Sequence, residues 1–172
     1  MGEFVPSTFE VPREFRVSHY LIRPLRALDA SIDCIAVNKS IALIHKTRGG
    51  SWPQRPITVA ENTIELQEHQ QLFEDRSAFA YTILDESASE PTTAGSLYVY
   101  KPHDPFDSSQ ANIIMPNEVD AVVNFWVTPD AYAEGFYGIL YRFVHDEWLP
   151  TWPFRHPHIN NAEVPTKARS VT

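Results

Sequence analysis

Cys34 is the single cysteine of the chain, which excludes an intramolecular disulfide framework and fits a reducing compartment, with a small buried thiol as its plain role. Long apolar runs are missing too: no stretch approaches ~18 consecutive apolar residues, the span a membrane helix needs. No charged segment leads into an apolar one at the N-terminus, and Pro6 stands where a myristoylation motif wants Ser or Thr. These absences predict a soluble, cytoplasmic protein with no membrane partner. Basic residues are few, 14 Lys and Arg against 22 Asp and Glu, for a net charge of −8. Phosphate neutralisation needs clustered cations, and these are scattered, so no nucleic-acid partner is expected and a basic or neutral one suits better. Without a Gly-x-Ser-x-Gly, P-loop or dinucleotide glycine signature, hydrolase, NTPase and Rossmann readings have no support. His156-Pro157-His158 has a His-x-His form but no third ligand of matching spacing, so no metal is expected.

What the chain does have, 43% hydrophobic and 12% aromatic residues, is enough for one domain with a substantial core. The most informative stretch is residues 120–149. Its first part, 121–128, is an almost wholly apolar, β-branched and aromatic run, as in a buried strand. Its last part, 136–149, places Phe136, Ile139, Leu140, Phe143, Val144 and Trp148 at helical spacing. Residues 129–135 between them are turn-rich, with Asp130 and Gly135 as breakers. A strand, a tight loop and a helix start bring free amides and the positive end of a helix dipole together, an arrangement that suits a pyrophosphate.

The rest of the chain reads in order as follows. Residues 1–19 form an extended N-terminal arm, and 20–25 a first strand ending at Pro24. Asp29 is placed to cap a helix over 30–46, residues 47–56 are a loop carrying Trp52 as a plug or a pocket wall, and Thr58 with Glu61 makes a capping box for the next helix. Residues 78–84 and 94–101 pair as an antiparallel hairpin, 102–118 form a polar loop, and a short last strand is expected near Trp152-Pro153-Phe154. Residues 161–172 are a polar tail.

A strand ending Trp126-Val127-Thr128-Pro129, then a loop and an amphipathic helix, resembles the acyl-CoA-binding core of the GNAT acetyltransferases. The opening strand with its Arg-Pro-Leu ending, the first helix and the hairpin with Gly95 are similar to that family as well. The resemblance covers roughly residues 20–154 and implies an α/β (α+β) fold: a mixed, largely antiparallel sheet with helices on both faces, here truncated at the C-terminus. The body of the domain would span residues 20–160. The family loop reads Gln/Arg-x-x-Gly-x-Gly/Ala; here DAYAEGFYG keeps Gly135 and Gly138 but has no leading Arg or Gln.

The resemblance implies an N-acetyltransferase that moves an acetyl group from acetyl-CoA to a small amine or amino-acid-like substrate. The backbone edge of Phe125, Trp126, Val127 and Thr128 would lie beside the pantetheine arm, and residues Ala133, Glu134, Gly135, Phe136 and Tyr137 would receive the pyrophosphate, Glu134 and Asp130 weakening that grip by their charge. The family's strand carboxylate falls on Val122, leaving Asp120 and Asn124 on the same face as substitutes, each of which could equally be a loop carboxylate or a hydrogen-bonded amide. Tyr141, like Tyr137, is either an acid near the thiolate or a half-buried packing residue. Degenerate loop, missing carboxylate and short C-terminus suit the alternative, a non-catalytic GNAT-fold ligand-binding or protein-interaction module. An open sheet edge would favour a homodimer.

Overall fold

The computed structural model describes residues 2–109 and 116–166. Six strands form one sheet in chain order: β1 (Phe15–Val17), β2 (Tyr20–Pro24), β3 (Phe79–Asp85), β4 (Thr92–Tyr100), β5 (Ala121–Val127) and β6 (Pro157–Ile159). Every neighbouring pair is antiparallel except the last, where β6 runs parallel to β5. Helices α1 (Ala30–Asn38), α2 (Ile41–Thr47) and α3 (Val59–Glu74) lie between β2 and β3 in the chain. After β5 come α4 (Pro129–Ala133) and α5 (Phe136–Phe143), the latter continued by a π-helical turn over Val144–Trp148. The mixed, mainly antiparallel α/β architecture expected from the sequence is the one observed.

All seven residues of β5 are buried because each face of the strand has its own core. Val123, Phe125 and Val127 join Phe79, Tyr81, Leu97, Leu140 and Trp148 on one side. Trp126 joins Ala80, Tyr98, Leu66 and Ile44 on the other. A two-sided strand loses the usual alternation and reads as an uninterrupted apolar run. Burying a side chain such as Phe125 is worth roughly 2 kcal/mol, so this strand is firmly held from both sides.

Four local expectations change. The helix expected over 30–46 divides at Lys39-Ser40 into α1 and α2, with Ser40 at φ −117° outside helical geometry. Asp29 does not cap α1 with its side chain; its carboxylate takes the Arg23 guanidinium in two bonds of 2.8 and 2.9 Å and the Arg26 N–H at 2.9 Å. At α3 the Thr58 hydroxyl does accept the Glu61 N–H at 3.1 Å, but the Glu61 carboxylate turns to Arg55 instead of closing the box. The last strand comes later than expected, at Pro157–Ile159, because Trp152 and Phe154 are drawn into the first core beside Phe9, Phe79 and Phe4. The N-terminal arm contributes β1 and is tied down where Arg76 donates to the Pro6 and Phe9 carbonyls. Trp52 packs against the second core under the Arg48 guanidinium, which is the plug role.

Candidate functional site

The parallel pair β5 and β6 holds for three residue pairs and then parts. Asn160 still donates its N–H to the Val123 carbonyl at 3.0 Å. One residue further, a side chain replaces the backbone: Asn161 Oδ1 accepts the Phe125 N–H and Asn161 Nδ2 donates to the Phe125 carbonyl, each at 3.0 Å. A carboxamide carries the same donor and acceptor as a peptide group, so Asn161 completes the edge of β5 at Phe125 without a strand. Strand alternation turns the backbone groups of Val123, Phe125 and Val127 toward this slot. Those of Trp126 and Thr128 face β4, where Trp126 registers with Ser96 and Thr128 N–H bonds the Ala94 carbonyl at 2.8 Å.

Beyond the slot lies the turn between α4 and α5. Thr128 caps α4 and Pro129 opens it, both suited by residue type to a helix start. Gly135 then sits at φ 84°, a left-handed conformation in which glycine carries no steric penalty. A Cβ added there would meet nothing within 4 Å, so substitution is opposed by backbone strain and not by a neighbour. The start of α5 lines a cleft of about 470 Å³ together with Tyr132, Arg142, Glu163 and Val164. Arg142 Nη1 comes within 3.5 Å of the point where a Cβ on Gly138 would lie. Arg142, four residues after Gly138 on α5, thus places a guanidinium at this end of the cleft.

The cleft's other wall is built by the chain after β6. Glu163 accepts the Tyr132 hydroxyl at 2.8 Å through Oε2, and its Oε1 is 3.5 Å from Lys46 Nζ. Its backbone carbonyl accepts the Tyr137 hydroxyl at 2.6 Å, and that hydroxyl in turn accepts from Asn161 Nδ2 at 2.9 Å. Burial pushes the Tyr137 phenol well above its ordinary pKa, so it stays a neutral donor and acceptor. The hydrogen bond to Glu163, with some burial, raises the Tyr132 phenol also.

The residues proposed from sequence are distributed around this slot unevenly. Phe125 and Val127 present backbone to it, and Gly135 and Tyr137 line the cleft. Glu134 turns aside: its carboxylate accepts the Tyr20 hydroxyl at 2.7 Å and lies 3.7 Å from His19. Phe136 is buried with its ring centroid 3.9 Å from that of Tyr20, while Ala133 is exposed. Asp120, Asn124 and Tyr141 do not converge. Asp120 accepts the N–H groups of Arg155 and His156 at 2.7 and 2.9 Å, capping the entry to β6. Asn124 donates from the second-core face to Asp107 and Ser109, each at 3.2 Å. Tyr141 packs on Phe125 in the first core, ring centroids 6.0 Å apart. Sequence spacing does not single out Arg142, Asn161, Glu163 or Lys46, all four of which come from segments read as helix or tail. Among the described residues no group of His, Cys, Asp or Glu is arranged to hold a metal ion, and no helix is long and apolar enough to cross a membrane.

No family model and no curated protein matches the sequence. Solved structures do resemble the fold. An acetyltransferase from Salmonella typhimurium, described as modifying the N-terminal serine of the 50S ribosomal protein L7/L12, superposes with a TM-score of 0.59 at 16% identity, over 91% of this chain and 78% of that one. The RimL L7/L12 α-N-protein acetyltransferase in its apo form gives 0.59 at 17% identity, over 95% and 79%. The microcin C7 self-immunity acetyltransferase MccE, in complex with acetyl-CoA and AMP, gives 0.52 at 12% identity, over 79% and 67%. Element order, the parallel pair that parts beside a helix start, and these superpositions together give the conclusion that this chain has the fold of the GNAT acetyltransferases.

Proposed function

We propose that the protein is a GNAT-like N-acetyltransferase that takes its acetyl group from acetyl-CoA and delivers it to a small amine or amino-acid-like acceptor in the cytoplasm. The single observation that carries this reading is that β5 and β6 part at Phe125, where only the Asn161 side chain lies between them and a cleft at the α5 start lined by Gly135, Gly138 and Arg142. Its chemistry fits the cofactor: backbone N–H and C=O groups of Phe125 and Val127 suit the amides and thioester carbonyl of the acyl arm, and a helix start with an adjacent guanidinium suits the pyrophosphate. A main-chain N–H of β5 would polarise the thioester carbonyl. Asn124, on the opposite face, brings the Asp107 carboxylate to the level of the strand, and that group is the proposed acceptor of the amine proton, with Asp120 holding the entry to β6 and Tyr141 bracing Phe125. The net charge of −8 favours a cationic acceptor. The short edge strand β6, beside a cleft lined by Tyr141, Leu149 and Phe154, is the proposed surface of a homodimer.

A second reading, a GNAT-fold binding module without catalysis, is favoured by one observation: Val122, on the strand face where the family resemblance calls for a carboxylate, is fully buried and apolar. Incubation with acetyl-CoA and a panel of amines, following release of free CoA thiol, separates the two. Turnover with an amine supports the transferase; saturable acetyl-CoA binding with no thiol release under any amine supports the module.

A further inference from the structure

Residues 160–163 lie where the proposed acyl arm has to go. Asn161 takes both backbone groups of Phe125, and Ala162 N–H and Glu163 N–H donate to the Arg48 and Thr47 carbonyls at 3.2 and 2.9 Å. Glu163 then sets a carboxylate beside Lys46 and Tyr132 at the edge of the cleft where α5 begins. The segment therefore presents, in order, an amide that pairs with a strand edge and an anion that pairs with a cation. An acyl-CoA presents the same two features in the same order. We propose that residues 160–163 are an internal occupant of the acyl slot, and that acyl-CoA binds by displacing them; this rests on the acetyl-CoA reading of the site.

The way the segment is held suits displacement. Its contacts are almost all hydrogen bonds, and each is worth little net because water can replace it. Apolar burial is slight: the two buried residues, Asn160 and Asn161, are polar, Ala162 is exposed and Glu163 is only partly covered. Displacement takes both backbone partners from Phe125 at a position of 0% exposure, and one partner each from the buried carbonyls of Val123, Thr47 and Arg48. An incoming arm that pairs with Phe125 relieves the loss there, whereas a ligand fragment ending at the phosphates does not reach it. The nucleotide end and the acyl end of the cofactor should thus respond differently to the segment.

Calorimetric titration of acetyl-CoA and of adenosine 3′,5′-bisphosphate into the wild-type chain, Asn161→Ala and Glu163→Gln separates these ends. Asn161→Ala should bind acetyl-CoA about tenfold tighter than wild type, because the competing population is reduced, while adenosine 3′,5′-bisphosphate affinity stays unchanged. Glu163→Gln, at a partly exposed site, gives a second test in a variant whose fold is not at risk, with acetyl-CoA tighter by a fewfold. Amide exchange at residues 161–163 of the wild-type chain should quicken on saturation with acetyl-CoA. Equal acetyl-CoA affinity in all three chains, or amides still protected at saturation, overturns the displacement while leaving the acetyl-CoA reading intact. No saturable acetyl-CoA binding by any chain overturns both.

Discussion

Asn62 Nδ2 donates to Asp33 Oδ2 at 2.9 Å, tying α3 to α1 through a carboxyl group that is only 3% exposed. Burial raises the Asp33 pKa to about 7; the Asn62 bond works against this, and Glu65 and Asp29 add to it. On α3, burial and then Arg48 lower the His69 pKa to about 4. The two groups have opposite linkage. Asp33 is protonated more readily in the folded state, so its contribution is full below pH 3.8 and lost as pH rises through 7. His69 is protonated less readily, so its contribution is full above pH 6.5 and lost as pH falls through 4. Between roughly pH 4 and 6.5 their slopes oppose. Asp33→Asn should leave the His69 slope exposed, making the gain in stability from pH 4.5 to 6.5 larger than in wild type by on the order of 2 kcal/mol. Urea unfolding at the two pH values measures it; an unchanged gain means that Asp33 titrates as an ordinary surface carboxylate.

Gly135→Ala should destabilise the protein by about 1 kcal/mol, since φ 84° is unfavourable for an L side chain although the space around it is open. Thermal or urea unfolding reads this directly. A loss above about 3 kcal/mol would point to a collision that the geometry does not contain.

Arg142→Gln should weaken acetyl-CoA and adenosine 3′,5′-bisphosphate alike, by about 1 kcal/mol at low salt, as expected for one charge-assisted contact at a partly exposed site. Raising the ionic strength should narrow the gap between variant and wild type. A gap that does not depend on salt would mean that Arg142 acts through packing.

Asp120→Ala should lower stability by about 1 kcal/mol, because the exposed N–H groups of Arg155 and His156 exchange a carboxylate acceptor for water. Acetyl-CoA affinity should hardly change. A collapse of turnover with stability intact would instead assign Asp120 to proton transfer.

Much of this fold was legible because its signals are local. β5 is apolar throughout, α5 repeats at helical spacing, and the hairpin of β3 and β4 alternates around a polar turn. The division of the first helix at Lys39-Ser40 carried no glycine or proline to announce it. The position of β6 is not legible because Trp152 and Phe154 look like strand residues but pack as core aromatics over the N-terminal arm. At the site, Gly135 was legible from its turn chemistry alone. Asn161 was not, since the partner of its side chain lies 36 residues away and amide-to-backbone pairing leaves no period in a sequence. Its place in the loop would turn Glu134 toward the ligand; its actual direction is set by Tyr20, 114 residues distant.

The central claim is that the slot beside Phe125 and the start of α5 receive acetyl-CoA. Calorimetric titration of acetyl-CoA into the wild-type chain tests it most directly, repeated with Arg142→Gln under the same buffer. The account predicts saturable one-to-one binding, weakened about fivefold in the variant at low salt. Absence of saturable heat at millimolar acetyl-CoA in the wild-type chain, or identical isotherms for the two chains, would contradict it.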